Sequence, residues 1–189
     1  MICQLTHDDF PQVLKLWQTC FGDGEDYVRF FWQHGFLHCR GLGHWDGSTL
    51  VSMLFMLPGA LQPGNLPAEY IYAVATLPEH RKQGLAAQLL QQAAASGTSA
   101  LALHPATEQL RSYYAKQGFL PAFRKQDCGN GKFAFTPAIQ NYLQAEAELV
   151  QRDLSPCDAF GGMLLPLDEH AKFWLTQSQG QAYLPYTLE

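Results

Sequence analysis

Between Thr76 and Ala87 the chain reads T-L-P-E-H-R-K-Q-G-L-A-A: an apolar stretch gives way to a proline, two cations and a glycine before a leucine- and alanine-rich run. A helix that begins here leaves its first four backbone N–H groups without internal acceptors, and such groups attract an anion. Gly84 lets a ligand approach the main chain because no Cβ stands in the way, and the small side chains of Ala86 and Ala87 keep the approach open. Arg81 and Lys82 add positive charge at the same end. Charge-assisted hydrogen bonds contribute about 1.5–3 kcal/mol each, so a handful supplies much of the roughly 8 kcal/mol that micromolar binding requires. A pyrophosphate suits this cradle. The chain has no G-x-x-x-x-G-K-[ST] loop, and Gly41-Leu42-Gly43 is followed by Asp46 where a dinucleotide fingerprint has its third glycine, so ATP and NAD are poor candidates.

Two further groupings carry chemistry-capable side chains. Asp23, Glu25 and Asp26 form an acidic cluster that would attract a polyamine or an aminoglycoside, and that serves equally well as a capping and solubility feature between two helices. His34 and His38 stand four apart, with Cys39 and His44 near, but Gly35 weakens a helix there and no carboxylate completes a metal site; solvent-facing or hydrogen-bonded histidines are expected, and no metal.

The elements that position these residues follow from periodicity. Ile2 to Leu5 reads as a short strand, then Thr6 or Asp8 caps a helix whose stripe Phe10, Val13, Leu14, Trp17 has one-face spacing. A second stripe, Tyr27, Phe30 and Phe31, reads as core or as a pocket wall. Cys39 to Leu57 reads as a hairpin turning at Asp46-Gly47, and "LPGALQPGNLP" as a loop or short strand. "AEYIYAVAT" is the expected central strand. A helix follows from about Gln83 to Ala95, with Leu85, Leu89 and Ala93 on one face, then the strand "SALALH". Thr107 is placed to cap a helix with Leu110, Tyr113 and Tyr114 inward, and Gly118 to end it. "FLPAFRK" reads as an antiparallel strand, Pro137 to Asp153 as a helix carrying Leu143, Ala147, Leu149 and Val150, and "FGGMLLPLD" and "QAYLPYTLE" as strands. The order of elements predicts an α+β fold with a mixed sheet rather than a doubly wound one.

Composition sets outer limits. The 189 residues, 47% hydrophobic and 15% charged, suffice for one core, and one domain over 1–189 is expected, with 1–127 as its core and 128–189 completing the sheet. No apolar run approaches eighteen residues, so no membrane association is expected. Met1 to Phe10 is polar and acidic where a signal peptide needs cations and an apolar block, which predicts a cytoplasmic protein. Five cysteines without a C-x-x-C pair suggest ordinary reduced thiols. A net charge of -5 without a Lys/Arg run argues against nucleic acid and suits a cationic small substrate better. A homodimer is compatible with the sequence but not specified by it.

Two motifs then resemble a known family. "AVATLPEHRKQGLAAQLL" resembles the acetyl-CoA motif of the GNAT (GCN5-related) N-acetyltransferases, R/Q-x-x-G-x-G/A after a strand, here Arg81-Lys82-Gln83-Gly84-Leu85-Ala86. "YYAKQGF", Tyr113 to Phe119, resembles that family's later Y-x-x-x-G-F helix end. The resemblance covers 1–127 in element order and 69–122 in motif detail. Within the family, "ALHPATEQLRSYYAKQGFLPA" and "THDD…FGDGED" are most similar to the amino-terminal region of the enhanced intracellular survival aminoglycoside acetyltransferases.

The resemblance implies a GNAT fold with a splayed central strand and helices on both sheet faces, with acetyl-CoA as cosubstrate. Val74, Ala75 and Thr76 would pair with its pantetheine arm, and the amides of Lys82, Gln83, Gly84, Leu85, Ala86 and Ala87 would hold its pyrophosphate. A strand N–H near Ala75 or Thr76 would face the developing oxyanion. Tyr114 occupies the position of the acid that protonates the leaving thiolate, and its other reading is a packing aromatic. Phe21 and Asp23 match the survival branch's aromatic and acidic amine-pocket positions, while the aromatic a helical turn later falls one place off, at Trp32. A base for the incoming amine stays open among Glu69, the Glu189 carboxylates and a water chain to His104. The function expected is acetyl transfer to the primary amine of a small, cationic substrate, the alternatives being a CoA-binding sensor without chemistry and a protein lysine or amino-terminal acetyltransferase.

Overall fold

The computed structural model describes residues 1–124, 129–150 and 161–184. Its ten strands form one mixed sheet, with helices on both faces. Strand β1 (Ile2–Gln4) leads through a 3-10 turn to α1 (Phe10–Phe21), and α2 (Glu25–Phe30) continues through a wide π-helical turn over Phe31–Gly35. The hairpin of β2 (Arg40–Asp46) and β3 (Thr49–Gln62) is followed by β4 (Leu66–Thr76), α3 (Leu85–Ala94), β5 (Ala100–Leu103) and α4 (Glu108–Lys116). After them come the two-residue strands β6 (Leu120–Pro121) and β7 (Phe123–Arg124), then β8 (Lys132–Phe135) and α5 (Pro137–Leu149). The last elements are β9 (Met163–Pro166), α6 (Glu169–Ser178) and β10 (Ala182–Tyr183).

The sheet runs β6-β9-β5-β4-β3-β8-β10-β7, and β1 and β2 extend it from the first half of β3. β3 is long enough to serve two partners along one edge, β2 at Thr49–Met56 and β8 at Gly59–Gln62, with β4 on the other. Both its faces are buried, which is why "LVSMLFML" is apolar apart from Ser52 instead of alternating. One cluster, including Trp17, Phe31, Phe55, Tyr70, Phe133 and Trp174, packs α1, α2, α5 and α6 on one face. The other joins Leu54, Met56, Leu89, Leu90, Leu101 and Phe119 beneath α3 and α4.

Several sequence expectations are decided or corrected. "LPGALQ", open between loop and short strand, belongs to the long strand β3: a Cβ at Gly59 would strike the Phe133 ring at 2.5 Å, so the close approach of β8 requires glycine there. "FLPAFRK" is broken at Ala122, with β6 antiparallel to β9 but β7 parallel to β10. Of the apolar residues named for the Pro137–Asp153 helix, α5 buries Leu143, together with Ile139, Tyr142 and Glu146, while Leu149 and Val150 are exposed. α6, capped by the Asp168 carboxylate on the Ala171 N–H at 2.8 Å, had no counterpart in the sequence reading.

Candidate active site

Two features of β4 open the sheet. Its parallel pairing with β5 covers only Ala68–Tyr70, so the strand from Ile71 to Thr76 leaves its neighbour. On its other edge, Met53 faces Ala75 and Phe55 faces Tyr72, which sets Ala73 and Val74 together opposite the single residue Leu54. This bulge carries Ala73 at a φ of +49°, a left-handed conformation that a non-glycine residue adopts only under constraint. Ser52 helps to hold the segment beyond it: its hydroxyl donates to the Ala75 carbonyl at 2.8 Å and lies 2.8 Å from the Thr76 hydroxyl.

The chain then turns through Pro78–His80 into α3. Lys82 at φ +63° and Gly84 at φ +78° both take left-handed backbone conformations, and a Cβ built on Gly84 would meet no atom within 4 Å. Glycine is therefore called for by the turn and by the open space in front of it, not by a neighbour. The Arg81 Nε–H donates to the Thr76 carbonyl at 3.1 Å, and the Cys20 thiol to the same oxygen at 3.4 Å, tying the turn back to β4. The Gln88 N–H closes the first helical bond on Gly84, so the amides ahead of it are the donors that an α-helix leaves unspent.

In front of this turn lies a cleft of about 480 Å³ walled by Val74, Ala75, Thr76, Lys82, Gly84, Leu85, Ala86 and the first turns of α4. Gln83 and Ala87 are not among its lining residues; the Gln83 amide reaches back to the Glu79 carbonyl at 3.4 Å. The Cβ-free turn, its unspent amides and the adjoining cations fit a diphosphate followed by a slender arm along the free edge of β4. A second, smaller cavity of about 90 Å³ lies beside it, lined by Trp17, Phe21, Asp23, Tyr72, His104 and Tyr114 among others. Phe21, Val74, Leu110 and Tyr114 border both.

Tyr114 is held at this junction by α4, whose N-cap Thr107 accepts from the Leu110 N–H at 3.1 Å as expected. Its ring packs on Tyr113 and Phe119, and burial, with Tyr113 beside it, pushes its phenol well above the ordinary value. It therefore stays protonated across the physiological range. Leu110 and Tyr113, expected inward, instead stand half-exposed at the cleft wall.

Phe21 and Asp23 meet in the smaller cavity, where the Asp23 carboxylate accepts the Trp17 indole N–H at 2.7 Å. Behind this wall is a group the sequence did not reveal. Tyr72 lies 2.9 Å hydroxyl to hydroxyl from Tyr27, which donates at 2.9 Å to Glu146, a carboxylate 1% exposed. The three come from β4, α2 and α5, with no local spacing to connect them. Burial first, and then the neighbouring Tyr142, Tyr27 and Glu146, raise the Tyr72 phenol well above its usual range.

Of the candidate bases, Glu69 is engaged elsewhere: Arg40 donates to it at 2.6 Å and the Ser96 hydroxyl at 3.1 Å, and it lines neither cavity. His104 lines the smaller cavity, and Glu189 lies outside the described residues. Cys39 is half-buried, and desolvation with Glu69 nearby pushes its thiol up to about 12. Among the described residues no three of His, Cys, Asp or Glu gather as metal ligands, and no helix is long and apolar enough to cross a membrane.

No curated protein sequence matches the chain. Solved structures of similar fold do. The YhbS GNAT family N-acetyltransferase of Escherichia coli in complex with CoA aligns over 97% of this chain and 87% of its own, at 17% identity and a TM-score of 0.63. A GNAT family acetyltransferase of Brucella melitensis in complex with acetyl-CoA aligns over 73% and 96%, at 14% identity and a TM-score of 0.56. A Corynebacterium glutamicum structure described as histone acetyltransferase HPA2 and related acetyltransferase aligns over 88% and 95%, at 17% and 0.56. The sequence model of the acetyltransferase (GNAT) domain matches residues 2–122, the stretch that builds β4, the anion turn and Tyr114. This chain belongs to the GNAT acetyltransferase family, and its fold is the GNAT fold.

Proposed function

We propose that this acetyltransferase carries an acetyl group from acetyl-CoA to the primary amine of a small cationic acceptor by direct attack on the thioester. The observation that carries it is the meeting of the two cavities at Tyr114 and Val74, one fronting the anion turn and the other holding Asp23. The E. coli and Brucella relatives, crystallised with CoA and acetyl-CoA, support the assignment of the larger cleft. Bound there, acetyl-CoA supplies the activated acyl group.

The protein's own residues divide the remaining work. The amides of Lys82 through Ala87 receive the diphosphate, and the free edge of Val74, Ala75 and Thr76 orients the pantetheine arm. Tyr114 keeps a proton at its hydroxyl for the departing thiolate, a role that its raised pKa suits. Phe21 and Asp23, the aromatic and acidic positions implied by the likeness to the survival acetyltransferases, receive the acceptor, and a cavity of about 90 Å³ takes little beyond its reacting amino end. We read residues 1–189 as one domain, because β9 is seated between β5 and β6.

The test is titration calorimetry with CoA, followed by a panel of primary amines assayed for thiol release from acetyl-CoA. Micromolar binding with turnover of at least one small amine is expected. Failure of CoA to bind to folded protein would overturn the assignment, and binding with no turnover for any amine would leave a sensor.

A further inference from the structure

An alkylamine with a pKa near 10 is about one part in a thousand neutral at pH 7, so the proton it must shed before attack needs a destination. The polarity of the buried chain behind the acceptor cavity is fixed by its end. Glu146 as a carboxylate only accepts, so the Tyr27 proton points to Glu146. Tyr27 has no second proton, so the bond between the two phenols is donated by Tyr72. The Tyr72 oxygen, part of a residue lining the cavity, is left as an acceptor with no donor among the described residues.

We propose that Tyr72, Tyr27 and Glu146 form the relay by which the ammonium group of the acceptor loses its proton. The ammonium N–H passes its proton to the Tyr72 oxygen, Tyr72 passes its own to Tyr27, and Tyr27 passes its own to the Glu146 carboxylate. One N–H bond is broken, one carboxyl O–H is formed, and both phenols end neutral as they began. No charge is created in the cavity: a cation and an anion become an amine and a carboxylic acid. The raised phenol of Tyr72 agrees with a conduit that is never itself a phenolate. Asp23, which also lines the cavity, holds the cation but stands outside this chain, its Oδ2 engaged by Trp17. Tyr72 is the group that touches the acceptor, and Tyr27 and Glu146 act through it.

The inference rests on the transfer reaction proposed above, and its test separates the two. The best primary alkylamine of the panel is compared at one pH with its β,β,β-trifluorinated analogue, which has a similar shape but is largely neutral near pH 7 without help. Glu146→Gln should lower kcat about 100-fold on the basic amine and less than about threefold on the fluorinated one, with CoA affinity by calorimetry unchanged. Tyr27→Phe, which keeps the ring and cuts the chain in the middle, should do the same, and it carries the test if the first variant does not fold. Asp23→Asn should instead raise KM for the basic amine. Equal losses on both amines, no loss on either, or losses confined to KM in the relay variants would overturn the relay. A wild-type protein that binds CoA and turns over neither amine would refute the transfer reaction itself.

Discussion

The two cavities that meet at Tyr114 are built from opposite materials. The larger is a main-chain surface: a strand edge freed by the splay of β4 from β5, and a turn whose left-handed Lys82 and Gly84 leave its amides facing outward. The smaller is a side-chain assembly, drawn from α1 and the loop after it, from the β4 bulge, from the end of β5 and from α4, with a backing of Tyr27 and Glu146 from α2 and α5. Backbone recognises what is common to every reaction of such an enzyme, and its residues can vary so long as the conformation is kept. Side chains decide which amine is taken, and each one counts individually.

Substitutions should therefore separate along this line. The largest effect falls where the cavities join: Tyr114→Phe should lower turnover about 100-fold or more while CoA affinity by calorimetry stays within about twofold, because only the proton donor is lost. A matching loss of affinity would mean that the tyrosine belongs to the binding surface and not to the chemistry. Next, Gly84→Val places a branched side chain in the open space before the anion turn at φ +78°. CoA affinity should fall about 30-fold or more, and backbone strain of about 1–2 kcal/mol should lower Tm by several degrees. An unchanged dissociation constant would remove the main-chain cradle from the comparison.

The smallest effect is expected away from both cavities, at Asp168. The Ala171 N–H, together with Ser99 and His170, holds its carboxyl below the usual carboxylate range. A depressed carboxyl contributes stability that is present above its unfolded-state pKa and lost as pH falls through the folded one. Asp168→Ala should cost about 1 kcal/mol near neutrality, seen as a Tm lower by a few degrees, with the gap to wild type closing in acid and with activity unchanged.

What the sequence made legible follows the same division. The left-handed turn at Gly84, the Thr107 cap and the place of Tyr114 on its helix depend on neighbours within a few residues, so local spacing was enough to find them. The stretch around Gly59 stayed open between loop and strand because glycine marks both a turn and a close strand approach, and the chain alone does not tell which; the deciding atom, in the Phe133 ring, is more than seventy residues away. Glu146 looked like any polar residue of an amphipathic helix, and only its burial against Tyr27 sets it apart. Glu69 was attractive for heading the central strand, but its partners Arg40 and Ser96 come from separate elements that no periodicity joins.

The placement of β9 between β5 and β6 also bears on how the protein is made. As the chain leaves the ribosome, Pro121 emerges some forty residues ahead of Met163, its eventual partner across the gap, a delay of a few seconds at about 5–20 residues per second. Through that interval β5 waits with one flank unzipped, and β6 has no rail to settle on. A nascent chain stalled there would carry the whole anion turn and Tyr114 on an open sheet rim, a sticky half-product whose rescue depends on the arrival of β9.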